Sequence, residues 1–196
     1  MCTTTNYQKH LHRNPIQRVL IANFYRSFEG IIKPLSPRKI LDVGCGEGFT
    51  LNRLREKNIG EKRVGVDFEK AAIDEAKKIN GEDTFHVGNI YNLKFKDNEF
   101  DVVLCMEVME HLKNPKKALS ELKRVSSKYV VLTVPNEPWF RLSQLVRGNY
   151  LSTWGNHPEH INHWNVVSFR KFVKDSGLKV KKIRLPYAWI QILAEK

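Results

Sequence analysis

An α/β fold built on a doubly wound, mostly parallel sheet is what this chain of 196 residues predicts. Three observations predict it. Short apolar runs alternate with segments of helical period five times over, the pattern of parallel strands joined by crossover helices. The run Phe100-Asp-Val-Val-Leu-Cys-Met106 is nearly continuous and apolar, as a strand buried on both faces reads. And the first run, Ile40-Leu41-Asp42-Val43, breaks into Gly44-Cys45-Gly46-Glu47-Gly48 and continues into a helical pattern with Leu51 and Leu54. A strand, a glycine turn and a helix start in succession form a ready-made ligand site. Glycines let a ligand approach the backbone closely, and the first helical N–H groups are unpaired donors.

Taken in order, residues 1–14 are polar and expected to be flexible. A helix over 16–33 follows from Ile16, Val19, Leu20, Phe24, Phe28, Ile31 and Ile32, with Pro15 in its first turn and Gly30 and Pro34 at its end. Strand one is Lys39–Val43, with a helix to about Lys57. Strand two is Arg63–Val66, and a helix over Glu69–Ile79 has Ala72, Ile73, Ala76 and Ile79 at helical spacing and ends at Gly81. Strand three is Thr84–Val87, leading into Gly88-Asn89-Ile90. Strand four is Phe100–Met106, and a helix from Pro115 to Val125 has Asn114 as its cap. Strand five is Tyr129–Val134. Residues 136–165 then break the alternation with Trp139, Phe140, Tyr150, Trp154, His157, His160, His163 and Trp164, which suits a lid or substrate wall. A helix over Ser168–Asp175, capped by Ser168, precedes strands Leu178–Leu185 and Ala188–Ala194. The sheet is expected to have about seven strands, in one domain spanning 1–196. Ligands of such sheets bind at the C-terminal ends of the strands, where Asp67, Asn89, Glu107 and Asn136 fall.

Two acidic residues sharpen the glycine loop. Asp42, just ahead of it, is unhelpful beside a pyrophosphate but attractive beside an ammonium or sulfonium. Asp67 closes Val64-Gly65-Val66-Asp67 about twenty residues on, where a carboxylate can accept both hydroxyls of a ribose. Together these residues resemble the class I S-adenosylmethionine-dependent methyltransferase family, Asp42–Gly48 its first motif and Asp67 its second. The resemblance spans roughly residues 38–196 and is strongest over 40–112. It implies a Rossmann-like seven-stranded sheet with an antiparallel last strand, and S-adenosyl-L-methionine as cofactor. Gly44, Cys45, Gly46 and Gly48 would line the methionine side, with Asp42 near its ammonium. Asp67 would hold the ribose, with Phe68, Asn89 and Ile90 around the adenine and Met106 beside the cofactor. The N-terminal helix would either cover that pocket or pack on the sheet's edge.

Methyl transfer from a sulfonium is an in-line displacement, so the protein mainly aligns the acceptor and excludes water. A base is needed only where the acceptor must lose a proton. His111, His160 and Glu110 are the catalytic candidates. Glu107, Glu110 and His111 share one helical face by spacing, and with His160 they would make an O/N metal site. That set resembles the divalent-metal site of small-RNA 3′-end 2′-O-methyltransferases and of ubiquinone-pathway O-methyltransferases. The same residues also occur where the histidine only shapes a pocket.

The net charge of +12 is unevenly placed. Residues 1–40 carry seven Lys and Arg against one acid, 166–196 carry eight against two, and 41–165 carry eighteen of each sign. A basic excess admits an anionic partner such as nucleic acid. The neutral middle with its aromatic lid favours a small or partly apolar acceptor. No run approaches the ~18 apolar residues of a membrane span, the N-terminus lacks a signal pattern, and three cysteines lack metal-ligand spacing. A cytoplasmic protein is expected. Rival readings are an RNA methyltransferase, a non-catalytic cofactor-binding module, and an NAD-dependent oxidoreductase. The last would carry G-x-G-x-x-G rather than an Asp followed by G-x-G-x-G.

Overall fold

The computed structural model describes residues 15–137, 139–141 and 159–196, so the expectations for 1–14, Tyr150, Trp154 and His157 lie outside the described residues. In chain order come α1 (Pro15–Ile32), a 3-10 turn (Lys33–Leu35), β1 (Lys39–Val43), α2 (Phe49–Glu56), β2 (Lys62–Asp67), α3 (Lys70–Ile79) and β3 (Thr84–Val87). Then follow β4 (Phe100–Met106), a second 3-10 turn (Met109–His111), α4 (Pro115–Val125), β5 (Ser126–Pro135), α5 (Val166–Asp175), β6 (Lys179–Arg184) and β7 (Trp189–Glu195).

The strands form one sheet in the order β3-β2-β1-β4-β5-β7-β6. The first five pair parallel, and β7 runs antiparallel between β5 and β6. The chain reverses direction across the sheet after β3, between β1 and β4, and that is where ligands of doubly wound sheets bind. Alternate residues of the central strands feed two cores, as the period of a strand requires. Ile40, Val102, Leu104 and Val131 pack under α1, α2 and α3, against Phe28, Ile31, Ile32, Leu54 and Ile73. Leu41, Val103, Cys105 and Val130 pack under α4 and α5, against Leu119, Leu122, Phe169 and Val173.

Local chemistry explains the element ends. Asn114 caps α4, its side chain accepting the Lys117 N–H at 3.1 Å, with Pro115 at the first helical position. Helix α5 starts earlier than its sequence suggests. Its cap is Asn165, which accepts the Ser168 N–H at 2.9 Å while the Ser168 hydroxyl accepts the Asn165 N–H at 3.0 Å. Ser168 is therefore the third residue of a capping box, not the cap. Strand β5 runs past Tyr129–Val134 at both ends because β4 pairs with Ser126 and β7 with Pro135. Asp101 serves the fold at the opposite end from the glycine loop, accepting the N–H groups of Arg38 and Lys39, both at 2.8 Å. Among the described residues, no helix is long and apolar enough to cross a membrane.

Candidate functional site

The glycine loop leaves β1 in a conformation that side chains resist. Gly44, Gly46 and Gly48 have φ of 79°, 53° and 77°, in the left-handed region where a Cβ is strained. The N–H groups of Gly44 and Cys45 both reach the Val66 carbonyl, at 2.7 and 3.1 Å, which ties the loop to the end of β2. Gly48 then stands as the first cap position of α2.

Two carboxylates flank the loop. Asp42 is 2% exposed, and its Oδ1 has no hydrogen-bond partner among the described residues. Burial, with a smaller contribution from the charge of Asp67, raises its pKa to about 7. Asp67 is engaged by backbone donors: Oδ2 accepts the Gly46 N–H at 2.8 Å and Oδ1 the Glu69 N–H at 3.0 Å. Each oxygen keeps a second lone pair, which leaves capacity for ribose hydroxyls. Beside it the ring of Phe68 is 82% exposed, and Ile90 is half-buried against the core. Asn89 lies next to them, but its Oδ1 accepts the Tyr91 N–H at 2.9 Å, so it closes a turn. Met106, at the end of β4, is half-buried.

Helix α1 packs on the sheet through Phe28, Ile31 and Ile32, while Tyr25 reaches the loop helix, its hydroxyl 3.5 Å from Thr50 Oγ1. Burial above all, with the negative charges of Asp42 and Glu107 adding, pushes the Tyr25 hydroxyl up to about 12. Cys45 and Cys105 are buried thiols with raised pKa, inert by burial.

The chemistry-bearing residues after β4 divide. Glu107 has φ of 58° and precedes a single 3-10 turn, so the helical-face spacing that grouped it with Glu110 and His111 does not apply. Its carboxylate turns to the sheet: Oε1 accepts the Thr133 hydroxyl at 3.0 Å and Oε2 the Trp189 indole N–H at 2.7 Å. Glu110, His111 and His160 do come together, each offering one ligand atom within 4.8 Å of the others. The rings of His111 and His160 lie 5.0 Å apart between centroids, and Phe140 stands 5.3 Å from His160.

Segment 159–164 delivers His160 by a set of hydrogen bonds. The N–H groups of Ile161 and Asn162 both donate to the Glu110 carbonyl, at 2.9 and 3.0 Å. The Asn162 amide donates to the carbonyls of Met109 and Leu112, at 3.1 and 2.7 Å. His111 Nδ1 donates to the Glu159 carbonyl at 3.0 Å, and its Nε2 lies 3.9 Å from Glu110 Oε1. Glu137, which the sequence reading passed over in favour of its neighbour Asn136, lies 3.2 Å from His160 Nδ1 and 3.4 Å from His163 Nδ1. The one signal for it is its place two residues past the end of β5.

The four-residue metal set therefore does not fit as a unit, because the Glu107 carboxylate is held by Thr133 and Trp189. The cofactor set fits better: an unsatisfied buried carboxylate, a left-handed glycine loop and a second carboxylate one strand away.

A doubly wound sheet with an acidic glycine loop at its reversal point is the arrangement that nucleoside-cofactor sites use. Comparison with known proteins narrows this. Residues 41–132 match the family model described as a methyltransferase domain. An uncharacterized methyltransferase of Schizosaccharomyces pombe is 40% identical over 100 residues, which cover 45% of this chain and 36% of that protein. A ubiquinone biosynthesis O-methyltransferase of Rickettsia bellii is 29% identical over 176 residues, 86% of this chain and 68% of that protein. The fold is shared with magnesium protoporphyrin IX methyltransferase of Synechocystis PCC 6803 with bound SAH, at a TM-score of 0.71, 16% identity and coverage of 98% and 95%. Residues 41–132 of this chain thus match a methyltransferase domain, and the whole sheet shares its fold with a solved methyltransferase. The matches to the first curated relatives take in between 33% and 40% of those proteins' lengths.

Proposed function

We propose that this chain is an S-adenosylmethionine-dependent methyltransferase acting on a small, partly apolar acceptor. The observation that carries the reading is Asp42: a buried carboxylate with an unsatisfied oxygen, set beside three left-handed glycines. A cationic ligand satisfies it and an anionic one does not. Asp42 would face the cofactor's ammonium, the backbone of Gly44 to Gly48 its methionine side, Asp67 its ribose, and Phe68 and Ile90 its adenine. The bound cofactor supplies an activated methyl group on a sulfonium. The protein's part is then to align the acceptor, exclude water and take a proton where the acceptor carries one. His111 and His160 are the candidates for that proton, each placed by a contact of its Nδ1 with an oxygen.

The acceptor class is supported by the apolar side chains at the same end of the sheet. Trp139, Ile161, Leu185 and Tyr187 are all exposed there, beside Phe140. Exposed aromatic and aliphatic groups around a polar centre are the usual lining of a small-molecule site. The Rickettsia relative is named as an O-methyltransferase, which agrees with a hydroxyl acceptor. A second reading, metal-assisted 2′-O-methylation of RNA, is favoured by the gathering of Glu110, His111 and His160 and by the basic chain ends. It predicts RNA affinity that falls steeply with salt. Incubation with methyl-labelled S-adenosylmethionine and separate panels of phenols, amines and RNA tests the proposal. Label in the phenols supports it; label in RNA alone moves the second reading to the front.

A further inference from the structure

We infer that Glu137 is the positioning residue of the histidine cluster, holding His160 in the one tautomer that offers Nε2 to Glu110 and His111. The geometry stands without the methyltransferase reading; only the purpose of the lone pair rests on it. Glu137 is 6% exposed and His160 9%, and their contact is 3.2 Å long. A carboxylate only accepts, so the proton of a neutral His160 belongs on Nδ1 and the lone pair on Nε2. Glu137 Oε2 is buried with no hydrogen-bond partner among the described residues, so both His160 and His163 converge on Oε1.

The carboxylate is itself fixed from the backbone. The Glu137 N–H donates to the Trp164 carbonyl at 3.0 Å, and the Asn136 N–H to the Ala188 carbonyl at 2.8 Å. The end of β5 is thus tied both to the β6–β7 turn and to the segment that carries His160 and His163. Glu137 touches no expected cofactor position. It acts through His160, as a buried carboxylate behind an imidazole does when it selects tautomer and ring orientation. His111 is oriented by a different device, the Glu159 carbonyl.

Long-range nitrogen–proton NMR on protein labelled with ¹⁵N-histidine tests this near neutral pH, with His160→Asn identifying the signal. Wild-type His160 is expected to carry its proton on Nδ1 and to show an unprotonated Nε2. In Glu137→Gln the side-chain amide can donate as well as accept, so the Nε2–H tautomer should become a major species. Nε2 protonated in the wild type, whether as the other tautomer or as imidazolium, would overturn the assignment, and needs no variant to be seen. An unchanged tautomer in folded Glu137→Gln would overturn it as well. Adding S-adenosylhomocysteine to the same samples separates the two readings. If it fails to bind, the cofactor assignment is lost while the tautomer result stands.

Discussion

Trp189 donates its indole N–H to Glu107 at 2.7 Å, joining two residues 82 positions apart across the C-terminal end of the sheet. The bond holds the start of β7 against the residue that follows β4, and Trp189 in turn packs edge-on to Phe24 of α1 at 5.1 Å. Trp189→Phe keeps the packing and removes the donor. It should destabilise the protein by about 1–3 kcal/mol, the usual worth of a hydrogen bond to a charged group. Chemical denaturation of the two proteins measures this, and equal stabilities would show that Glu107 is served as well by water.

Asp42 gives the fold a pH dependence of defined sign. Its pKa in the folded protein is about 7 against an ordinary 3.8, raised by burial and then by Asp67. A raised carboxyl favours the protonated state of the folded chain, so its contribution to stability is complete below 3.8 and is lost as pH rises through about 7. Asp42→Asn removes that loss. The melting temperature of the variant relative to wild type should therefore rise from about pH 4 to about pH 7 and level off above that. A difference that is flat with pH would mean that Asp42 stays ionised throughout.

Gly44 is irreplaceable for two separate reasons. Its φ is +79°, and a Cβ there would lie 2.3 Å from Val108 Cγ2. Gly44→Ala should cost ~1–3 kcal/mol in backbone strain, with the clash added to it. Val108→Ala in the same chain should recover the steric part and leave the strain. If the double variant is no more stable than Gly44→Ala, the loop has moved rather than clashed.

The placement of Glu107 leads to a prediction about metal dependence. With its carboxylate held by Thr133 and Trp189, Glu110, His111 and His160 should serve as polar and proton-accepting groups without a divalent ion. Added magnesium or manganese should leave the melting temperature unchanged, and chelator should leave any methyl transfer intact. Stabilisation by manganese that disappears in His160→Ala would instead establish a metal centre.

The fold was largely legible because its signals are local. The strand bounds of β1, β3 and β4 follow from short apolar runs that end at turn residues, and the glycine loop announces itself through spacing. Where reading failed, the cause was a long-range or conformational choice. Glu107, Glu110 and His111 fall on one face only if the segment is α-helical; φ of 58° at Glu107 and a single 3-10 turn send Glu107 to the sheet. Asn89 and Asp67 carried a local alternative, and each hydrogen-bonds a backbone N–H two residues on. Glu137 acquires its partners only when residues 159–164 return to the end of β5, which no periodicity foretells. The Asn165 cap, by contrast, is readable: Asn-x-x-Ser ahead of an apolar run is a capping box with Ser where Glu or Gln usually stands.

Asp67→Ala examines the other carboxylate. Loss of charge-assisted bonds to the ribose should weaken cofactor binding by roughly 1–3 kcal/mol. Because Asp67 also holds the N–H groups of Gly46 and Glu69, some stability should be lost with it. Unchanged affinity in a folded variant would remove Asp67 from the site.

The most direct measurement is a calorimetric titration of the wild-type protein with S-adenosylhomocysteine and, separately, with NAD. The methyltransferase assignment predicts micromolar binding of S-adenosylhomocysteine and none of NAD. Binding of NAD, or of neither ligand, would contradict it, the first result pointing to a dinucleotide loop and the second to a non-catalytic module of the same fold.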